Sequence, residues 1–139
     1  MIHLIKLSVG TESYGDLARW QEMRSKEMPD ALPRHVTRMW PKREAEVLDG
    51  GSMYWVIKGA VLCRQRIIRL DEVIGHDGIR RCAIVLDPEL VRTAPAPRRP
   101  FQGWRYLKPE DAPADLSSTE TREELPPSLE MKLSEIGVL

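Results

Sequence analysis

Apolar residues alternate with His or Lys through Ile2-His3-Leu4-Ile5-Lys6-Leu7, a period-two pattern that predicts a strand over residues 2–8. Ser13 and Asp16 then stand three apart, as in a capping box, where hydroxyl and carboxylate satisfy early helix amides. Leu17, Trp20 and Met23/Arg24 recur at helical spacing, so a helix is predicted from Tyr14 to Met28, with Pro29 and Pro33 at its exit. His35 to Trp40 carries β-branched and aromatic residues and reads as a strand. Pro41 suits the first turn of a short helix over 42–48, because its missing N–H would be unpaired there anyway. Gly50-Gly51 ends that helix, since glycine accepts a left-handed backbone without steric cost.

The centre of the chain reads as sheet. Strands are predicted over 53–58, 60–70 and 79–86, with a turn signal at His76-Asp77-Gly78 between the last two. Asp87-Pro88 interrupts the ladder, and Glu89 to Thr93 resumes it. Ala94 to Pro100 holds three prolines and two arginines and reads as an extended connector, followed by a last strand over 101–107. Residues 109–126 are acidic and rich in Pro, Ser and Thr, a loosely held crossing segment. Leu129, Leu133 and Ile136 then predict a C-terminal helix over 127–137. The elements define one α+β domain over residues 1–139: a small, curved, mostly antiparallel sheet or a partly closed β-barrel, with flanking helices near 14–28, 42–48 and 127–137.

A chain of 139 residues with 42% hydrophobic content is large enough to bury its own core. Its 21 basic and 21 acidic residues cancel, but they are unevenly placed. Residues 34–69 hold eight basic against three acidic side chains, while residues 109–139 hold two against eight. A local basic field attracts anions even on a neutral molecule. Cys63 and Cys82 sit in apolar runs and read as small core residues. The N-terminal apolar stretch is too short and interrupted for a signal peptide, and no run approaches a membrane span, so a cytoplasmic location with no membrane partner is expected.

The feature that points furthest toward function is a basic-aromatic set. It contains Arg38, Trp40, Lys42 and Arg43, then Tyr54 and Lys58, then Arg64 and Arg66, then Arg98, Arg99, Gln102, Trp104 and Arg105. Arg64 and Arg66 are two apart, so a strand projects both to one face. Guanidinium and ammonium groups neutralise phosphates, and exposed rings stack on unpaired bases. The plainer account makes Trp40, Trp55 and Trp104 core anchors and the arginines a solvated sheet face.

Other chemistry is thin. His3, His35 and His76 show no metal spacing, and no cysteine lies two to four residues from another, so no metal or cofactor is expected. Cys63 precedes Arg64, but strand neighbours point to opposite faces, so a buried structural thiol is expected. Glu44 and Glu46 are two apart on a short helix and do not face one another as an acid/base pair. Gly50-Gly51-Ser52 lacks the Walker pattern, and Gly10 and Gly15 form no dinucleotide fingerprint.

The succession Met39-Trp40-Pro41-Lys42-Arg43, Gly50-Gly51-Ser52-Met53-Tyr54-Trp55-Val56-Ile57-Lys58-Gly59, Arg64-Gln65-Arg66-Ile67, Leu86-Asp87-Pro88-Glu89-Leu90-Val91 and Phe101-Gln102-Gly103-Trp104-Arg105-Tyr106-Leu107 resembles an alphaproteobacterial family, domain of unknown function 1489. The resemblance covers nearly the whole chain and implies a cytosolic protein, with no activity to carry over. A short helix ending at glycine and followed by a barrel strand, here 42–48, Gly50-Gly51 and 53–58, is also similar to the PUA-like group, which includes ASCH and EVE domains. That likeness implies a PUA-like barrel and RNA or modified-base binding; the Gly-x-Lys-x-x-Glu-x-Arg pattern of ASCH domains is absent.

The leading expectation is noncatalytic binding of an anionic ligand, RNA first. Arg64, Arg66, Arg98, Arg99 and Arg105 would meet phosphates, and Trp104 or Tyr54 would offer a stacking surface. The alternatives are an enzyme acting on a small anionic metabolite, with Glu44 or His35 as acid or base beside a deep pocket, and a protein-interaction domain using the acidic segment. That segment is also expected to fold over the basic face and limit access to it.

Overall fold

A computed structural model of the chain describes residues 1–116, 133–134 and 136–137. Seven strands form one mixed sheet: β1 (His3–Leu7), β2 (Arg34–Thr37), β3 (Ser52–Ile57), β4 (Ala60–Ile74), β5 (Arg80–Leu86), β6 (Val91–Pro97) and β7 (Trp104–Leu107). Their order is β2-β5-β4-β3-β1-β7, with β6 attached to β4. Helices α1 (Tyr14–Ser25) and α2 (Glu44–Leu48), a 3-10 turn at Pro109–Asp111 and two short strands, β8 (Leu133–Ser134) and β9 (Ile136–Gly137), complete the described elements.

β4 organises the sheet. Its buried positions Val61, Cys63, Gln65 and Ile67 alternate with more exposed ones, the period a strand requires. β3 pairs with residues 60–66, β6 with 60–64 and β5 with 67–74. The Asp87 amide donates to Arg66 O between the last two pairings, so β5 and β6 lie end to end along β4. The Asp87-Pro88 break is therefore a gap in one long line of pairing, as the sequence suggests. All pairings within the sheet are antiparallel except β1 with β3, whose connection runs through α1, β2 and α2.

The sheet is open. Its path ends at β2 and β7, which do not pair, so the expected barrel closure is not formed among the described residues. Element ends also shift. α1 stops at Ser25, because tight turns from Arg24 O to Glu27 and from Ser25 O to Met28 replace further helix. β2 ends at Thr37, whose Oγ1 takes the Met39 amide at 3.2 Å and turns the chain away. α2 begins at Glu44, after a buried Pro41. The proline-rich stretch 94–97 is strand, not connector: it lies at an edge of the sheet where missing N–H groups do least harm, and Ala94 donates outward to Ala114 O. The C-terminal helix expected over 127–137 falls mostly outside the described residues. Where backbone is described, Leu133–Ser134 and Ile136–Gly137 pair as two short antiparallel strands, β8 and β9.

Two apolar clusters form on opposite faces. The larger joins Leu4, Met53, Trp55, Ile67, Ile84 and Trp104 to Leu17 of α1 and Val47 of α2. The smaller joins Ile5, Tyr54, Val56, Val61 and Leu107, covered by Phe101 and Ala112. Gly51 lets α2 close onto the sheet: a Cβ there would collide with the Ile2 and Val47 carbonyl oxygens.

Candidate functional site

The basic residues divide between the two faces. Register places Arg105, Ile5, Tyr54 and Arg64 in one row across β7, β1, β3 and β4. Three strand spacings of about 4.8 Å put the two arginine backbones roughly 14 Å apart on the same face. Arg66 lies two residues from Arg64 on that face and is exposed. Arg98 joins them from the loop after β6, where its amide donates to Gly59 O at 2.8 Å and sets it beside Lys58. The guanidiniums of Arg98 and Arg105 both lie over Phe101, 5.7 and 5.4 Å from the ring centre.

Several members of the predicted set are already engaged. Arg64 makes a two-pronged ion pair with Asp115, at 2.8 and 2.7 Å, and donates to Ser52 Oγ at 3.0 Å. Those charge-assisted bonds hold the Asp115 carboxyl below its usual range. Arg43 is held by Glu46 and stacks on Tyr106, and Lys58 sits 3.3 Å from Glu12. Arg38, Lys42, Arg66, Arg98, Arg99, Gln102 and Arg105 are exposed, and no ion pair among the described residues holds their charged members. Arg38, Lys42 and Arg43 fall beside β7 on the other face, where Trp104 Nε1 donates to Met39 O.

The stacking role moves to another ring. Tyr54 and Trp104 are each 4% exposed and belong to the core, where a base cannot reach their faces. Trp55 is buried as well, and Trp40 packs partly buried against the same core. Phe101, half-buried between two arginines, is the ring the sequence set left out. Its signal was present: it is the sole phenylalanine, in a Pro-Phe-Gln-Gly turn inside a basic stretch.

The acidic segment begins as a strap on this face. Its 3-10 turn leads to Ala114, whose carbonyl accepts from Ala94, and to Leu116, whose amide donates to Arg92 O. Thr93 and Asp115 pair between these two bonds. An open hollow of about 400 Å³ remains between strap and sheet, lined by His3, Ser52, Tyr54 and Arg64. His3 Nδ1 accepts the Ser52 amide at 3.0 Å, and burial followed by the Arg64 charge lowers its pKa.

The other candidates resolve as follows. Cys63 and Cys82 are unpaired and buried, and desolvation pushes their thiols up to about 12 and about 11, so neither is a nucleophile near neutrality. Glu44 accepts from Trp40 Nε1 at 2.9 Å, a packing role. His35 borders two cavities under α1, and burial lowers its pKa to about 4. His76 is exposed on the β4–β5 turn. Among the described residues, no three His, Cys, Asp or Glu side chains group as metal ligands, and no helix is long and apolar enough to cross a membrane.

Fold and surface together define an α+β domain on an open mixed sheet, with a basic rim gathered around a phenylalanine. The chain belongs to the family described as protein of unknown function (DUF1489), whose model matches residues 4–139. No curated protein and no solved structure matches it.

Proposed function

We propose that this protein binds an anionic ligand without catalysis, and that the ligand is RNA in an unpaired region. The observation that carries the reading is the pair Arg98 and Arg105 flanking Phe101, with Arg66 and Arg99 exposed. Guanidiniums beside a ring are the combination that holds a phosphate while a base stacks. The PUA-like architecture remains part of this proposal, supported by the order α2, Gly50-Gly51, β3. So does a cytoplasmic location in an alphaproteobacterium.

The test is a titration of the full chain with single-stranded and hairpin RNA at two salt concentrations. Affinity falls as salt rises, and Arg66→Ala and Arg105→Ala each reduce the log–log salt slope by roughly 0.7. Phe101→Ala weakens single-stranded binding more than hairpin binding. Absence of binding at low salt, or affinity indifferent to salt, overturns the reading.

A further inference from the structure

A second concave site lies on the opposite face of the sheet, independent of the Phe101 rim. Two cavities meet beneath α1, and Trp20 and His35 line both. One, about 310 Å³, is lined by Lys6 and Trp55, partners in the β1–β3 register, and by the Ser8–Thr11 loop. The other, about 230 Å³, runs along the second half of α1 between Arg24, Met28, Leu32 and Arg34.

The wall chemistry is one-sided. Lys6, Arg24, Arg34 and His35 line the two lobes, and no Asp or Glu does. Asp30 holds Arg34 through Nη2, yet Arg34 Nε is buried with no partner among the described residues. Buried donors are almost always paired with protein, water or ligand, so the Asp30 contact leaves the Arg34 guanidinium incompletely matched. The His35 ring stands edge-on to Trp55, 6.3 Å between centres, and burial keeps it neutral near pH 7. A neutral imidazole offers one donor and one acceptor, and neither is used by a described residue. Trp20 is 48% exposed, an unusual position for an indole in an isolated domain.

We infer that this cleft binds a small planar aromatic anion. Its ring lies at the waist between Trp20 and His35, and its carboxylate or phosphate points toward the guanidinium groups of Arg24 and Arg34. Aromatic walls with a few placed polar groups are the usual make-up of such a pocket. The Arg24 guanidinium already lies 5.2 Å from the centre of the Trp20 ring, so charge and ring are presented together.

The test uses the full chain and three probes: 2-naphthoate, indole-3-carboxylate and adenosine 5′-monophosphate. Amide NMR shifts and calorimetry follow each titration. At least one probe gives saturable shifts confined to residues 6–11, 17–25 and 32–36. For 2-naphthoate, Arg24→Gln weakens binding by about tenfold, and the neutral 2-naphthamide binds about tenfold more weakly than the acid. Trp20→Ala, at a half-exposed position, weakens acid and amide alike, and His76→Ala, on the exposed β4–β5 turn, changes nothing. No saturable shift with any probe, or equal affinity for acid and amide, overturns the inference. An oligoadenylate that shifts these amides when the monophosphate does not would make the occupant a nucleic-acid base, and would also overturn it.

Discussion

Gln21 and Gln65 form a two-way amide pair across the interface of α1 and β4: Gln21 Nε2 donates to Gln65 Oε1 at 2.8 Å, and Gln65 Nε2 donates back to Gln21 Oε1 at 2.6 Å. Two further bonds fix the orientation. Trp55 Nε1, which can only donate, reaches Gln65 Oε1 at 2.8 Å, and the Asp87 carbonyl, which can only accept, takes Gln65 Nε2 at 3.0 Å. Gln65 is fully buried, so its carboxamide is a four-way junction holding α1, β3 and the end of β5 together. Gln65→Leu keeps much of the volume but strands the Trp55 donor, the Gln21 amide and the Asp87 carbonyl. The expected loss is about 2–4 kcal/mol, read by urea unfolding. Gln65→Glu is expected to cost more, because a buried carboxylate would face the Asp87 oxygen.

This junction also shows what the sequence reveals and what it hides. The strands were legible from local sequence alone: β4 alternates with period two, while β3 and β5 are short runs of apolar and β-branched residues buried on both faces. Ser13 was legible for the same reason, and its Oγ accepts the Asp16 amide at 3.1 Å. The buried side of α1 was not. Leu17, Trp20 and Met23 suggest one apolar stripe, yet the helix buries Leu17 and Gln21 and leaves Trp20 and Met23 outside. A glutamine enters a core only when a partner waits there, and that partner lies 44 residues away. The basic set fared likewise. Arg64 and Arg66 share a face by spacing alone, but the burial of Trp104 and the hold of Asp115 on Arg64 depend on contacts of long sequence separation.

Stability is expected to fall as pH drops from about 6.5 toward 4, before ordinary acid unfolding begins. Burial, and secondarily the Lys6 charge, lowers the folded pKa of His35 from 6.5 to about 4. Above 6.5 the imidazole is neutral in both states and its contribution is complete. As pH falls, the unfolded chain takes the proton first, and stability drains away until the folded state protonates near 4. A gap of that size corresponds to a loss of roughly 3 kcal/mol. His3 shifts in the same direction and adds to the slope. The carboxyls of Asp30 and Asp77 are held well below their usual range by arginine hydrogen bonds, so their losses come at lower pH. Urea unfolding at pH 7 and pH 4.5 measures the slope, and His35→Gln should flatten it. A slope unchanged by that substitution would remove His35 as its source.

Asp115 governs how much of the basic row is open to an anion. It sits on the strap that runs beside β6, and its carboxylate occupies both prongs of the Arg64 guanidinium. A phosphate seeking Arg64 must displace that carboxylate, while Arg66 on the same face has no such competitor among the described residues. Asp115→Ala therefore frees one cation without shortening the chain or removing the acidic stretch beyond it. The expected result is tighter binding of single-stranded RNA at low salt, with the log–log salt slope steeper by roughly 0.7, the increment for one more neutralised phosphate. Arg64→Ala in the Asp115→Ala background should abolish the gain, because the freed group is then gone. Truncation after Lys108 should produce at least the same gain if the strap acts as a cover. Affinity and slope that stay fixed in both altered chains would show that Arg64 takes no part in binding, and would leave Arg66, Arg98, Arg99 and Arg105 to carry the charge.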